Sequence, residues 1–215
     1  MLMSSSLVSW PMLPRLEVLR RRLRDAFQNA RTSLRYARLG VHSRLPSVDE
    51  RQLLLTIPKL IEAGFPLRFD PSREVWLARS FPDGILELKY AYEAPYEVDG
   101  SIRLVHYCRV ERAPTHESAA EAFREGIRGY DLGAAMVGGR FVFKGNLQRW
   151  AENAHVSFTF SPPNDTLSGC LLSFQKGRLV YTVLLRGIVL DNEQDIEELL
   201  YPLLDLAFAW CGTET

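Results

Sequence analysis

Alternating apolar and polar positions are clearest near the carboxyl end of the chain, where they predict a β-hairpin. Apolar side chains occupy every second position from Leu179 to Leu185, which places them on one face of a strand. A short polar connection containing Gly177 precedes this strand, and glycine readily takes the positive φ that tight turns require. The apolar run ending at Phe174 supplies the other strand. We expect the rest of the sheet to be built around this hairpin.

After Leu190 the apolar residues recur at intervals of three and four, which predicts an amphipathic helix. Asp191 is a suitable N-cap, with Gln194 three residues later as its capping-box partner. Proline cannot donate a hydrogen bond to the carbonyl four residues before it, so Pro202 predicts a kink or a break into two helices. The apolar side of this helix consists of Ile196, Leu199, Leu200, Leu203, Leu204, Ala207 and Phe208.

Shorter alternating runs upstream predict the remaining strands of the sheet. Among them the segment Ser118–Tyr130 has helical spacing, with Ser118 and Glu121 as a capping box and glycines at its end. Strands in runs with few helices indicate the α+β class. We predict an antiparallel sheet packed against this central helix and the C-terminal helix, with an N-terminal helical extension. The strands are expected at Glu74–Ala78, Gly84–Glu93, Ser101–Arg112, around Arg140–Lys144, and at Ala154–Ser161.

The first part of the chain has a different pattern. An apolar stripe at near-heptad spacing predicts a long helix from Arg15 to about Leu39. A second helical segment, Val41–Pro58, has Ser47 as its cap with Glu50 three residues later. Prolines punctuate the sequence that follows. We therefore place the boundary near Gly64, with a basic helical extension at residues 1–64 and an α+β sheet domain at residues 65–215.

Charge is unevenly distributed along the chain. The totals balance at 26 basic and 26 acidic residues, and 47% hydrophobic content is typical of a globular protein. Nine arginines lie between Arg15 and Arg44 against two acids, whereas six acids and no base lie between Asp191 and Asp205. The basic helix could pack on its own domain, bind a protein partner, or lie on an anionic membrane surface. Few aromatic residues are interleaved with its arginines, which disfavours nucleic acid.

Three widely spaced cysteines, Cys108, Cys170 and Cys211, provide neither a disulfide framework nor a CxxC pair. We therefore predict a reducing compartment, the cytoplasm. A mitochondrial or other organelle matrix is the alternative, because the amino terminus is arginine-rich and contains serines like a presequence. No apolar run is long enough to predict a transmembrane helix.

Candidate catalytic chemistry is sparse. His106 and Cys108 share one face of a predicted strand, as a nucleophile and its base would. That face also carries Leu104 and Val110, which favours a core position for both side chains. The histidines and acids lack metal-ligand spacing, and Gly138-Gly139 lacks the rest of a phosphate-binding loop. We predict no catalytic residue, metal or cofactor.

The order of elements resembles the PsbP-like family, which includes the Mog nuclear-transport factors and bacterial DcrB-like and Eag-chaperone domains. The matching features are the strand Gly84–Glu93, the strand–helix unit from Ser101 to Tyr130, the aromatic strand Ala154–Ser161, and GRLVYTVLL leading into the last helix. The resemblance covers roughly residues 74–210. It implies a non-enzymatic binding or accessory factor, although fold alone does not fix function.

We therefore expect an adaptor or chaperone-like subunit of a protein complex, which binds its protein partner through the basic helix, the sheet domain or both. The alternative is a small-molecule-binding domain or small enzyme with a sheet–helix cavity near His106, Tyr107 and Cys108. Exposed aromatic and arginine side chains are the usual interface anchors, although an aromatic ring can equally pack under a loop. The candidate partner-binding residues are Arg20, Arg21, Arg24, Arg31, Arg35, Trp76, Arg149 and Trp150.

Overall fold

A computed structural model describes residues 39–95, 103–136, 140–145, 151–161, 166–190 and 193–212. The chain divides into two compact units, residues 1–42 and 43–215. The predicted first helix lies, up to residue 38, outside the described part of the chain. Residues 43–64, which the sequence pattern assigned to the extension, belong to the second unit.

One antiparallel sheet forms the body of the second unit. Its strands are connected as two meanders, β2–β3–β4 and β5–β6–β7–β8, which meet where β4 pairs with β8. The short β1 lies at the edge beside β2. This arrangement confirms the predicted antiparallel sheet and the hairpin, whose Gly177 has φ 55°. The strands are β1 His42–Arg44, β2 Glu74–Ser80, β3 Leu86–Pro95, β4 Arg103–Arg112, β5 Arg140–Gly145, β6 Asn153–Ser161, β7 Thr166–Lys176 and β8 Leu179–Arg186.

Helices cover both faces of the sheet, which confirms the α+β class. They are α1 Val48–Gln52, α2 Ile57–Glu62, α3 His116–Met136 and α4 Glu193–Gly212, with a 3₁₀ turn at Pro71–Arg73. Neighbouring residues of a strand point to opposite faces, and the core divides accordingly. On β8, Tyr181 and Val183 pack in the same cluster as Leu200 of α4, whereas Val180 packs with Phe123 of α3.

We name the two faces by their side chains. The apolar face carries Leu88, Cys108, Leu172 and Tyr181, and it packs against α4 and the segment containing α1 and α2. The polar face carries Lys89, Arg109, Thr182 and Ser173, which are cross-strand partners in one row across the sheet. Helix α3 lies on that face and contacts β5, β7 and β8.

The segment predicted as one helix from Val41 to Pro58 is in fact strand β1, helix α1, a buried connection and the start of α2. Ser47 and Glu50 form the predicted capping box at the start of α1. The helix then ends at Gln52, because Leu53–Ile57 turns inward and becomes buried. Thr56 begins α2 by accepting a hydrogen bond from the backbone N–H of Lys59.

Helix α3 begins earlier and ends later than its sequence pattern predicted. Its cap is Thr115 rather than Ser118, since each of these hydroxyls accepts the other residue's backbone N–H at 3.1 Å. The helix also continues through Gly129 to Met136 instead of ending at the glycines. Glycine costs about 1 kcal/mol in a helix interior relative to alanine, and packing on the sheet overrides this preference.

Helix α4 continues through Pro202 as one helix. Of the two alternatives predicted for Pro202, a kink or a break into two helices, the break is therefore wrong. Six apolar side chains of α4 are buried, which stabilises the helix despite the missing N–H of proline. They include Ile196, Leu200 and Leu204, spaced as the sequence predicted. The predicted cap Asp191 lies outside the described residues.

Gly169 of β7 is the position where the sheet tolerates a side chain least. A Cβ there would lie 2.0 Å from the carbonyl oxygen of Leu185. We expect Gly169→Ala to lower the free energy of unfolding by about 2–4 kcal/mol, because the two strands would have to separate. Denaturant unfolding followed by circular dichroism measures the change.

Gly129→Ala is the matched control, because nothing lies within 4 Å of a Cβ at this helical position. This variant should be neutral or more stable by up to about 1 kcal/mol. Equal stability of Gly169→Ala and the wild-type protein would contradict the described pairing of β7 with β8.

Candidate functional site

The residues first considered for catalysis lie beneath the segment Leu53–Ile57, which we call the buried segment. The Nε2 atom of His106 donates to the carbonyl of Leu55 over 2.8 Å. The backbone N–H of Leu55 lies 3.3 Å from the Cys108 thiol and 3.2 Å from the Tyr181 hydroxyl. Both side chains are fully buried, as is His106. The predicted core position of the pair is confirmed, and the space above it is filled by the chain's own backbone.

Two tyrosines complete the hydrogen bonding of the buried segment. The hydroxyl of Tyr181 donates to the carbonyl of Leu53 over 3.0 Å, and the hydroxyl of Tyr90 accepts from the N–H of Ile57 over 3.3 Å. Buried backbone groups without partners cost about 1–3 kcal/mol each. The side chains of β3, β4 and β8 therefore substitute for the secondary-structure bonds that this stretch lacks.

The electrostatics of this network oppose reactivity. Burial lowers the pKa of His106 to about 4, so the ring is neutral near pH 7. Burial also raises the pKa of the Cys108 thiol to about 11 and that of the Cys170 thiol to about 12. A nucleophilic cysteine requires a depressed pKa and access to a substrate. Cys108 has neither property, and both Cys108 and His106 form hydrogen bonds with the backbone instead.

A groove of about 640 Å³ lies between α2, the turn that follows it, and the first half of α4. Its floor is apolar, with Phe65 and Leu199 packed on the core and Leu203 buried. Its rim is acidic, since Glu62, Asp195 and Glu198 are exposed. The groove is lined by Lys59, Glu62, Ala63, Gly64, Phe65, Pro66, Asp195, Glu198, Leu199, Pro202 and Leu203.

Lys59, the basic residue of the groove lining, points its ammonium group toward the backbone. This group donates to the carbonyls of Gln52 and Leu54 over 2.6 and 2.9 Å. Burial lowers its pKa, with opposing contributions from Cys108 and Glu62. The ammonium group keeps its charge, but Glu62, Asp195 and Glu198 give the lining a surplus of negative charge.

Pro202 removes one backbone hydrogen bond from α4 beside the groove. Residues Glu198 and Pro202 both line it, and proline has no N–H to donate to the carbonyl of Glu198. Farther along the outer side of α4, Tyr201 is 51% exposed and Leu206 is 48% exposed. The outer side of this helix thus combines carboxylates, an aromatic ring and aliphatic surface.

Of the predicted partner-binding residues the structure describes Trp76, which does not line this groove. Trp76 is half-buried on the apolar face, where its ring centroid lies 4.6 Å from that of Tyr90 and 5.1 Å from the guanidinium carbon of Arg51. The other candidates, Arg20, Arg21, Arg24, Arg31, Arg35, Arg149 and Trp150, lie outside the described residues.

Sequence reasoning missed the groove because its two sides come from segments more than a hundred residues apart. The available signals were Pro202 within an acidic helix and the apolar Phe65 beside Pro66. Each residue alone is typical of an ordinary helix or loop. Their meaning depends on α2 lying beside α4, which no local pattern indicates.

Within the described part of the chain, no group of three or more His, Cys, Asp or Glu side chains could hold a metal ion. None of the helices described is both long enough and apolar enough to cross a membrane.

Comparison with known proteins gave no family model, curated protein or solved structure that matches this chain. The resemblance to the PsbP-like family therefore stays a prediction.

The buried neutral His106 predicts a loss of stability in mild acid. Its pKa is about 4 in the folded protein and about 6.5 in the unfolded chain. Between these values the unfolded chain binds a proton that the folded protein does not. The free energy of unfolding should fall by about 3 kcal/mol as the pH decreases from 6.5 to 4. Urea unfolding at a series of pH values measures this loss.

His106→Gln should remove this part of the pH dependence, because an amide N–H can still donate to Leu55 but does not titrate in this range. His116→Gln, at an exposed histidine that contacts Glu152, should retain it. If the free energy of unfolding of His106→Gln depended on pH as that of the wild-type protein does, the assigned burial of His106 would be contradicted.

Proposed function

We propose that this protein is a non-enzymatic binding or accessory factor, and that it holds a basic amphipathic segment of a protein partner in the groove between α2 and α4. The observation that carries the proposal is the combination of an apolar floor with an acidic rim. Such a groove complements a helix or extended peptide that places lysine or arginine beside leucine-like side chains.

The apolar floor supplies the affinity in this proposal. Phe65 and Leu199 are partly buried and packed on the core, so their positions are set before a partner arrives. A floor that is already ordered loses little side-chain entropy on binding. Tyr201 and Leu206 extend the apolar surface along the outer side of α4, and tyrosine is a frequent interface anchor.

The charge supplies selectivity for a basic partner. Helix α4 contains five acidic residues and no basic one, and Glu62 adds a carboxylate from the opposite side of the groove. Complementary charge favours encounter with a basic segment and penalises an acidic one. The carbonyl of Glu198, which lacks a donor from Pro202, offers a hydrogen-bond acceptor to a lysine, an arginine or a backbone N–H.

The alternative, a small-molecule site or small enzyme near His106 and Cys108, has less support. The buried segment occupies that position, and the thiol pKa is raised by burial. Docking through the basic N-terminal helix, peripheral membrane contact and a cytoplasmic or organelle-matrix location remain hypotheses from the sequence.

Fluorescence anisotropy with a labelled amphipathic peptide tests the proposal. The peptide should carry lysines beside leucines, and a second peptide should replace each lysine by glutamate. The full chain should bind the lysine peptide saturably and the glutamate peptide at least about tenfold more weakly. Equal affinity for both peptides, or no saturable binding of either, would contradict the proposal.

Charge reversal in the chain locates the binding. Glu198→Lys alters an exposed rim residue and should weaken the binding of the lysine peptide about tenfold. Glu121→Lys alters an exposed residue of α3, away from the groove, and should change affinity less than about twofold. If the two variants changed the affinity equally, the peptide would be responding only to the net charge of the protein.

A further inference from the structure

The polar face of the sheet holds a cluster of charged side chains where three neighbouring strands, β2, β3 and β4, lie side by side. These residues fall on two adjacent cross-strand rows. One row contains Arg79, Glu87 and Glu111, and the other contains Lys89 and Arg109. Glu87 and Glu111 are 9% and 7% exposed, so the cluster is partly withdrawn from water.

Positive charge exceeds negative charge in this cluster, with three cations against two carboxylates. The two ion pairs are Arg79–Glu87 at 3.3 Å and Arg109–Glu111 at 3.5 Å. Burial raises the pKa of Glu111 and so makes this carboxylate easier to protonate. The nearby charge of Arg109 opposes that shift. Neither of these two ion pairs includes Lys89.

Lys89 lies directly opposite Arg109 in the antiparallel pair of β3 and β4. Like charges at directly opposed positions destabilise a sheet. The ammonium group lies 4.7 Å from the centroid of the Tyr107 ring. Its pKa is lowered chiefly by burial, and the charges of Arg79 and Arg109 lower it further while Glu87 opposes them. The arrangement stabilises the cation only weakly.

Arg109 is held in a fixed position beside this lysine. Its side chain is 18% exposed, and its Nε atom has no hydrogen-bond partner among the residues described. Gly126 of α3 leaves room for the guanidinium, because a Cβ there would lie 3.3 Å from Nη2. The Nε atom is enclosed by the protein, and the planar guanidinium has a geometry that suits an oxyanion.

We propose that Lys89 and Arg109 form a binding site for a small organic anion that carries a carboxylate or phosphate group. The anionic group would offset the surplus positive charge and accept hydrogen bonds from both side chains. The site lies on the opposite face of the sheet from α2 and α4, so it does not depend on the peptide groove.

Apolar side chains near Lys89 indicate that the ligand also has an apolar part. Its cross-strand neighbour on β2 is Leu77, and Val75 lies opposite Ala91 two residues along. Leu77 and Ala91 are half-buried, whereas Val75 is 55% exposed. The apolar body of a ligand could therefore lie along β2 and β3 while its anionic group contacts the two cations. Aromatic or short aliphatic acids and phosphate esters fit this description.

Nuclear magnetic resonance of the ¹⁵N-labelled full chain tests the site directly. The probes are benzoate, phenyl phosphate and neutral benzyl alcohol, at matched ionic strength. The Nε–H signal of Arg109 should shift saturably with at least one of the anions and not with benzyl alcohol. Arg73, which is paired with Asp70 on the surface, supplies an internal control signal that should not follow the same curve. Comparison of the two anions shows whether a carboxylate or a phosphate is preferred.

Lys89→Met should weaken the binding of the preferred anion about tenfold, because it removes one cation and keeps the length of the side chain. Lys176→Met is the matched control, since its ammonium also lies over an aromatic ring, 4.8 Å from the centroid of Phe208. That variant should bind the anion like the wild-type protein. The proposal is overturned if neither anion shifts Arg109 saturably in the wild type, or if both variants weaken binding equally.

Discussion

The seating of the buried segment Leu53–Ile57 on the apolar face is the constraint on which the rest of the structure depends. This stretch contributes backbone N–H and C=O groups to a site without water, where each needs a partner. The side chains of Tyr90, His106, Cys108 and Tyr181 provide those partners from β3, β4 and β8. The polar side chains in the core are therefore explained by the backbone that they hold.

Three consequences follow from this seating. The histidine and the thiol that resemble a catalytic pair are occupied by hydrogen bonds to the backbone, and burial keeps both of them uncharged. Thr56, within the buried segment, begins α2, and α2 lies beside α4. The groove with its apolar floor and acidic rim is thus a product of the same contact. On the other face of the sheet, α3 packs over β8, while the charged cluster lies on β2, β3 and β4.

Much of the fold could be predicted because its signals are local. Alternation in β8, the turn at Gly177 and the capping box of Ser47 and Glu50 each depend on residues within a few positions of one another. The buried segment could not be predicted, since the bonds of Leu55 join residues 51 and 126 positions apart. The end of α3 could not be predicted for a similar reason, because packing on the sheet continues the helix past Gly129 to Met136.

Native-state hydrogen exchange of the Leu55 and Ile57 amides is the most direct test of the central claim. If the buried segment is an integral part of the core, both amides should exchange only through global unfolding, with the same opening free energy as the Val183 amide of β8. Faster exchange of Leu55 and Ile57 through a local opening would contradict the account. It would mean that the segment leaves the apolar face while the sheet stays folded, and that His106 and Cys108 become accessible to a ligand.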